Sequence, residues 1–112
     1  WQDTWALVNE KFGHYPDVHT INNAALIVMG LVHGKGDFEQ TIVTTVLGGW
    51  DADCTGATAG SVIGLILGAK ALPEKWVGVF NDQIHSAVRG YEHCRFSDLA
   101  QRTCRFADAN RP

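Results

Sequence analysis

The sequence predicts an all-α protein on three observations. Long apolar segments carry helix start and stop signals, a glycine recurs every fourth residue from Gly56 to Gly68, and the last segment is amphipathic at a helical period. With 112 residues, 46% hydrophobic and 19% charged, the chain lies in the ordinary globular range and holds at most one modest core. Residues 1–112 are therefore expected to form a single domain or a fragment of one.

From Thr4 to Phe12 the apolar residues Trp5, Ala6, Leu7 and Phe12 loosely follow a helical stripe that ends at Gly13, with HYPD reading as a turn. The segment from Thr20 to His33 is apolar on most sides after Ala24. It predicts a central helix buried nearly all round and stopped by Gly34 and Gly36. Asp37 reads as the N-cap of FEQTIVTTVLGG, where Phe38, Ile42, Val46 and Gly49 form a stripe widened by Val43 and Leu47. The β-branched run from Ile42 to Val46 favours a strand. Asp37 and Glu39 at the start and a glycine pair at the end favour a helix, and the helix is the stronger reading.

Gly56, Gly60, Gly64 and Gly68 line one helical face with hydrogen, which predicts a very close neighbouring helix. Each such glycine costs about 1 kcal/mol relative to alanine, so the pattern implies a packing or site reason. Leu72-Pro73 ends that helix, and PEKWVGVF begins a short one with Pro73 in its first turn. Asn81 to Phe96 alternates weakly and reads as a loop or a short extended piece. Ser97 is expected to cap a last helix in which Leu99, Thr103 and Phe106 share a face with Ala100, Cys104 and Ala107.

Composition removes several functions. The net charge is -3 and Lys and Arg are scattered, so neither nucleic acid nor an anionic membrane is an expected partner. Cys54, Cys94 and Cys104 are odd in number and lack CxxC spacing, which fits a reducing, cytoplasmic setting better than a disulfide framework. WQDTWALVNE shows no signal-peptide pattern, and the apolar run from Ala57 to Ala69 is short of the ~20 residues of a membrane span. The histidines at 14, 19, 33, 85 and 93 have no HxxxH or comparable spacing, so zinc is not indicated.

Chemistry concentrates in GGWDADCTGATAG, Gly48 to Gly60. On a helix Asp51 and Asp53 would point about 200° apart, whereas in a turn or extended backbone they project together, so the pair is expected to work as a site only outside a helix. Three readings stand. Asp53 caps the glycine-rich helix while Asp51 is a solvated turn residue. Alternatively, two carboxylates with a nearby threonine hydroxyl bind a hard cation such as Mg²⁺ or Mn²⁺. In a third reading, DADCT fits the D-x-D-x-T pattern of aspartyl-phosphate enzymes, although GGW stands where a preceding hydrophobic strand is required.

The run from Asp37 to Trp76, DFEQTIVTTVLGGWDADCTGATAGSVIGLILGAKALPEKW, resembles the C-terminal signature of the ADP-ribosylglycohydrolase family. That family includes the dinitrogenase-reductase-activating glycohydrolases and crystallin-like relatives. The resemblance rests on the order of a D-F-E helix, a glycine pair, D-x-D, a small-residue helix and P-E-x-W. Weaker similarity extends to HTINNAALIVMGLVHG and SDLAQRTCRFAD. It implies a compact orthogonal helical bundle, a two-metal Mg²⁺ or Mn²⁺ centre, and hydrolysis of the glycosidic bond at ribose C1″ of an ADP-ribosylated protein or ADP-ribose conjugate.

By the same resemblance Asp51 and Asp53 are metal ligands. Cys54 stands where the family usually has threonine, which makes Thr55, a carbonyl or water the alternatives for the third ligand. Trp50 is a candidate pocket wall, and His19 and Asn22, with Asn23, are candidate substrate-binding donors where the buried helix begins, the other reading being a hydrogen-bonding cluster at that helix N-terminus. The family's N-terminal acidic motifs, G-D-A-x-G and T-D-D-T, do not occur in this sequence. The chain thus reads as a C-terminal segment, inactive alone, that self-associates through exposed apolar helix faces. The alternative is a non-catalytic, crystallin-like helical module whose Asp51 and Asp53 cap a helix.

Overall fold

A computed structural model describes residues 1–111. The fold is all-α as predicted, with six α-helices and a single two-stranded hairpin among the described residues. None of these helices is long and apolar enough to cross a membrane. The chain divides into two compact units, one from Trp1 to Leu72 and one from Pro73 onward.

The first unit contains α1 (Gln2–Phe12), α2 (Thr20–Gly34), α3 (Phe38–Leu47) and α4 (Ala52–Leu67). As expected, α2 is central and packs on the other three, while α3 also packs on α4. It is not buried all round, because Val28 and Val32 are 59% and 65% exposed. Its inward face carries Asn22, Asn23, Leu26, Met29 and Gly30. The apolar core is small: Leu26 and Met29 of α2 with Ala59 and Ile63 of α4.

Threonine completes this core. On α3 the buried residues are Thr41, Thr44 and Thr45, while Val43 and Leu47 of the expected apolar stripe are exposed. Thr41 fits against Gly34 and Thr45 against Gly30, so tightly that a Cβ on either glycine would collide with the facing threonine. Their hydroxyls donate back into α3, Thr41 to the Asp37 carbonyl at 2.7 Å and Thr45 to the Thr41 carbonyl at 2.8 Å. Self-satisfied hydroxyls remove the main penalty for burying a polar side chain, leaving a small β-branched wedge that suits a close crossing.

The other side of α3 meets the glycine face of α4. A Cβ at Gly56 would lie 2.7 Å from Val46 Cγ2, one at Gly60 would lie 3.4 Å from Ile42 Cδ1, and one at Gly64 would lie 3.9 Å from Phe38 Cε2. The close approach predicted from the glycine spacing is present and relaxes steadily along α4. Gly68 stands apart from this face, ending the helix with φ 77°. The expected N-cap of α3 is also present, with Asp37 Oδ1 accepting the Gln40 N–H at 2.6 Å.

In the second unit α5 (Glu74–Val77) follows Pro73, which takes the N-cap position instead of the first turn. The segment read as a loop or extended piece forms a hairpin of β1 (Gln83–His85) and β2 (His93–Arg95), antiparallel with Ile84 opposite Cys94. It leads into α6 (Phe96–Ala109). Ser97 does not cap α6, since it already lies within the helix. Asp82 takes that role from a distance, accepting the Ser97 N–H at 2.9 Å and its hydroxyl at 2.6 Å. No described residue of this unit is buried.

Candidate metal centre

The site grows from the way α3 is joined to α4. Gly48 ends α3 where a Cβ would lie 2.7 Å from Leu26 Cδ2, so glycine lets the chain pass close over the core. Gly49 and Trp50 then turn the backbone left-handed, with φ 83° and 53°. A tryptophan in that region is strained, and such strain persists only where surrounding contacts over-determine it. Two contacts secure the turn: the Trp5 indole N–H donates to the Gly48 carbonyl at 2.9 Å, and the Ala52 N–H to the Trp50 carbonyl at 2.9 Å.

Asp51 occupies the N-cap position of α4 at φ -81° and ψ 65°, without a side-chain cap bond. The helix begins at Ala52, so Asp53 lies in its first turn and is not the cap. The expectation that the two aspartates meet only outside a helix therefore needs correcting. Asp51 alone departs from helical geometry, and that single step suffices: ligand atoms of Asp51, Asp53 and Cys54 lie within 4.8 Å of one another. The positive end of the α4 dipole favours anionic groups at this position.

Cys54 sits inside the cluster. Its thiol is hydrogen-bonded to the Asp51 carboxylate, and that bond, followed by the charges of Asp51 and Asp53, holds its pKa above the ordinary thiol value. In the ion-free protein this favours the neutral thiol, so the standing anionic donors of the loop are the two carboxylates. That donor set fits an oxygen-preferring divalent cation better than zinc or copper. Thr55 is buried, and its hydroxyl donates to the Ala52 carbonyl at 3.3 Å.

The start of α2 borders this loop. Asn23 Oδ1 accepts the Asp51 N–H at 3.3 Å, while its amide donates to the Asp17 and His19 carbonyls at 2.6 and 2.9 Å. Asn22 lies fully buried behind it, donating to the Pro16 carbonyl at 3.1 Å and accepting the Asn23 N–H at 2.9 Å. His19 caps α2 through Nδ1, which accepts the Ile21 N–H at 3.2 Å, and its ring stacks on Tyr15 at 4.4 Å. Trp50 is half-buried in the loop itself. Of the expected trio His19, Asn22 and Asn23, it is Asn23 that bonds directly to the acidic loop. The available signal was the position of Asn23 one turn after His19, where its amide reaches the end of the helix.

The fold and this cluster define a helical protein whose carboxylate-bearing loop, at a helix N-terminus, suits hard cations. The family model of ADP-ribosylglycohydrolase matches residues 2–109, and the chain belongs to that family. No curated protein and no solved structure matches the chain at a significant level.

Proposed function

We propose that this chain is the C-terminal part of a binuclear-metal ADP-ribosylglycohydrolase that cleaves the glycosidic bond at ribose C1″, and that it is inactive without further acidic ligands. The observation that carries this reading is the convergence of the Asp51 and Asp53 carboxylates at the start of α4, in a chain of this family. The two aspartates hold Mg²⁺ or Mn²⁺, with Thr55 as the candidate third oxygen donor. When bound, such ions supply Lewis acidity and lower the pKa of a bound water.

The remaining residues shape and secure the site. Asn23 fixes the Asp51 backbone, the left-handed turn presents Trp50 as a wall, and His19 forms the border facing an ADP-ribosylated protein or ADP-ribose conjugate, while the fully buried Asn22 supports that border from within and is not a substrate contact. Leu65 and Ile66 on α4, 86% and 69% exposed, together with Val28 and Val32 on α2, provide apolar faces for self-association. A monomer at every concentration in sedimentation would count against that association.

One observation favours a second reading, a non-catalytic crystallin-like module: a thiol, a poor ligand for a hard cation, stands within the acidic cluster at Cys54. Calorimetric titration with Mg²⁺ and Mn²⁺ separates the two, using the chain joined to an upstream segment that carries the acidic motifs. The catalytic reading expects ion binding and release of ADP-ribose, both lost in Asp51→Ala and Asp53→Ala. Full hydrolysis in both variants, or no ion binding by the unmodified protein, sinks it.

A further inference from the structure

The hairpin places two histidines opposite each other, far from the acidic loop in sequence. His85 and His93 are direct register partners across β1 and β2. Paired residues of an antiparallel ladder project from the same face with Cβ atoms about 4.5–5.5 Å apart. The two rings lie edge to face with centroids 4.8 Å apart. They border an open cavity of about 390 Å³ whose lining also includes Gln83, Arg95 and Asp98. Arg95 is paired with Asp82 at 2.9 Å, which offsets its charge beside the cavity.

We propose that His85 and His93 form a bidentate site for a borderline divalent transition-metal ion of the zinc and copper class, clipping the two strands together. Imidazole nitrogen is the ligand such ions favour over Mg²⁺. Two imidazoles on one ion, with nitrogens about 2.0–2.1 Å from it, place their ring centroids about 5 Å apart, close to the observed spacing. Rotation about χ2, a broad torsion in histidine, turns one nitrogen of each ring toward a common point. Asp98, in the first turn of α6, lines the same cavity without joining the two imidazoles as a third close ligand, and water completes the coordination.

The setting gives such a clip a purpose. The strands are three residues each and no described residue of this unit is buried. A lone two-stranded hairpin is marginal in water. An ion that binds the paired histidines but not the open chain stabilises the hairpin by mass action. Spacing along the sequence hides this site, because strand pairing alone brings the two histidines together.

The test is Zn²⁺ titration of the EDTA-treated full chain by calorimetry, in a background of Asp51→Asn and Asp53→Asn that silences the acidic loop. One equivalent of Zn²⁺ is expected to bind there, and either His85→Gln or His93→Gln should weaken it about tenfold or more. The thermal midpoint should rise with Zn²⁺ only when both histidines are present, and Mg²⁺ should produce no rise through them. In the unmodified protein, Zn²⁺ should shift the imidazole NMR signals of His85 and His93 together. Binding unchanged in both histidine variants, binding abolished by the acidic-loop background, or unmoved imidazole signals would each overturn the proposal.

Discussion

The backbone N–H of Asp51 donates to Asn23 Oδ1 at 3.3 Å, joining the first acidic residue of the candidate centre to the start of α2. The Asn23 amide also holds the carbonyls of Asp17 and His19, so one buried side chain ties three backbone groups. Asn23→Ala strands the Asp51 N–H and the Asp17 carbonyl, while the His19 carbonyl keeps the Asn23 backbone N–H at 3.3 Å, and each buried polar group left unpaired costs about 1–3 kcal/mol unless water replaces the partner. The expected result is a urea midpoint lowered by at least one such increment, with weaker Mg²⁺ or Mn²⁺ binding. Unchanged stability and ion affinity would remove Asn23 from this role.

Glycine-to-alanine changes on two helices are expected to have opposite signs. At Gly30 a Cβ would run into the Thr45 side chain and lie 2.9 Å from its Cβ, so the crossing of α2 and α3 must open. Overpacking of that kind costs about 1–3 kcal/mol beyond the gain in helix propensity. At Gly64 the nearest atoms would be 3.9 Å away, an ordinary contact, and the propensity gain of about 1 kcal/mol prevails. Thermal denaturation of Gly30→Ala and Gly64→Ala checks the pair, and two shifts of the same sign would contradict it.

Acid should loosen the start of α6. The hydrogen bonds from the Ser97 hydroxyl and backbone N–H, then the one from Arg95, hold the Asp82 carboxyl below the ordinary aspartate value. A depressed folded pKa means that the unfolded chain binds the proton more tightly. The stabilisation is therefore present above about 3.9, the ordinary aspartate value, and is lost as pH falls through the folded value. Helical circular dichroism followed through acid titration should show this loss in the unmodified protein and a smaller one in Asp82→Asn. Identical acid profiles would refute the assignment.

In the ion-free protein the Cys54 thiol should resist alkylation because two carboxylates stand beside it. Asp51, through its hydrogen bond and charge, and Asp53, through its charge, push the thiol pKa up. Thiolate is the reactive form, so at about pH 8 iodoacetamide should modify Cys54 slowly. Asp51→Asn removes the nearer charge, lowers the pKa toward its ordinary value and speeds the reaction. Peptide mass mapping measures both rates, and equal rates would show that the carboxylates do not control the sulfur.

Much of this molecule was legible where local signals agreed. Asp37 capped the helix it preceded, and the four-residue glycine spacing foretold a close helix face. The burial of α3 was less readable, because periodicity assigns valine to a core before threonine. Here back-bonded hydroxyls make Thr41 and Thr45 better wedges against glycine than larger apolar side chains. Ser97 looked like a cap because the competing acceptor, Asp82, is remote in sequence and reaches it only through the hairpin. At the candidate site, Asp51 and Asp53 drew notice by residue type, by their spacing and by the order of motifs around them. Their meeting across a helix boundary and their tie to Asn23 depend on one non-helical residue and a contact between α2 and the loop.

The hydrogen bond from the Trp5 indole to the Gly48 carbonyl gives the protein an optical gauge of its own centre. That carbonyl begins the turn leading to Asp51, and Trp50 lies within the turn, so two of the chain's four tryptophans border the loop. An ion held by the two carboxylates, as proposed, would act on the backbone to which one indole is anchored and in which the other is carried. A change in that anchor shifts the wavelength and yield of indole emission. Titration with Mg²⁺ or Mn²⁺ is therefore expected to change the fluorescence of the native chain with no label attached, if the loop takes an ion as proposed.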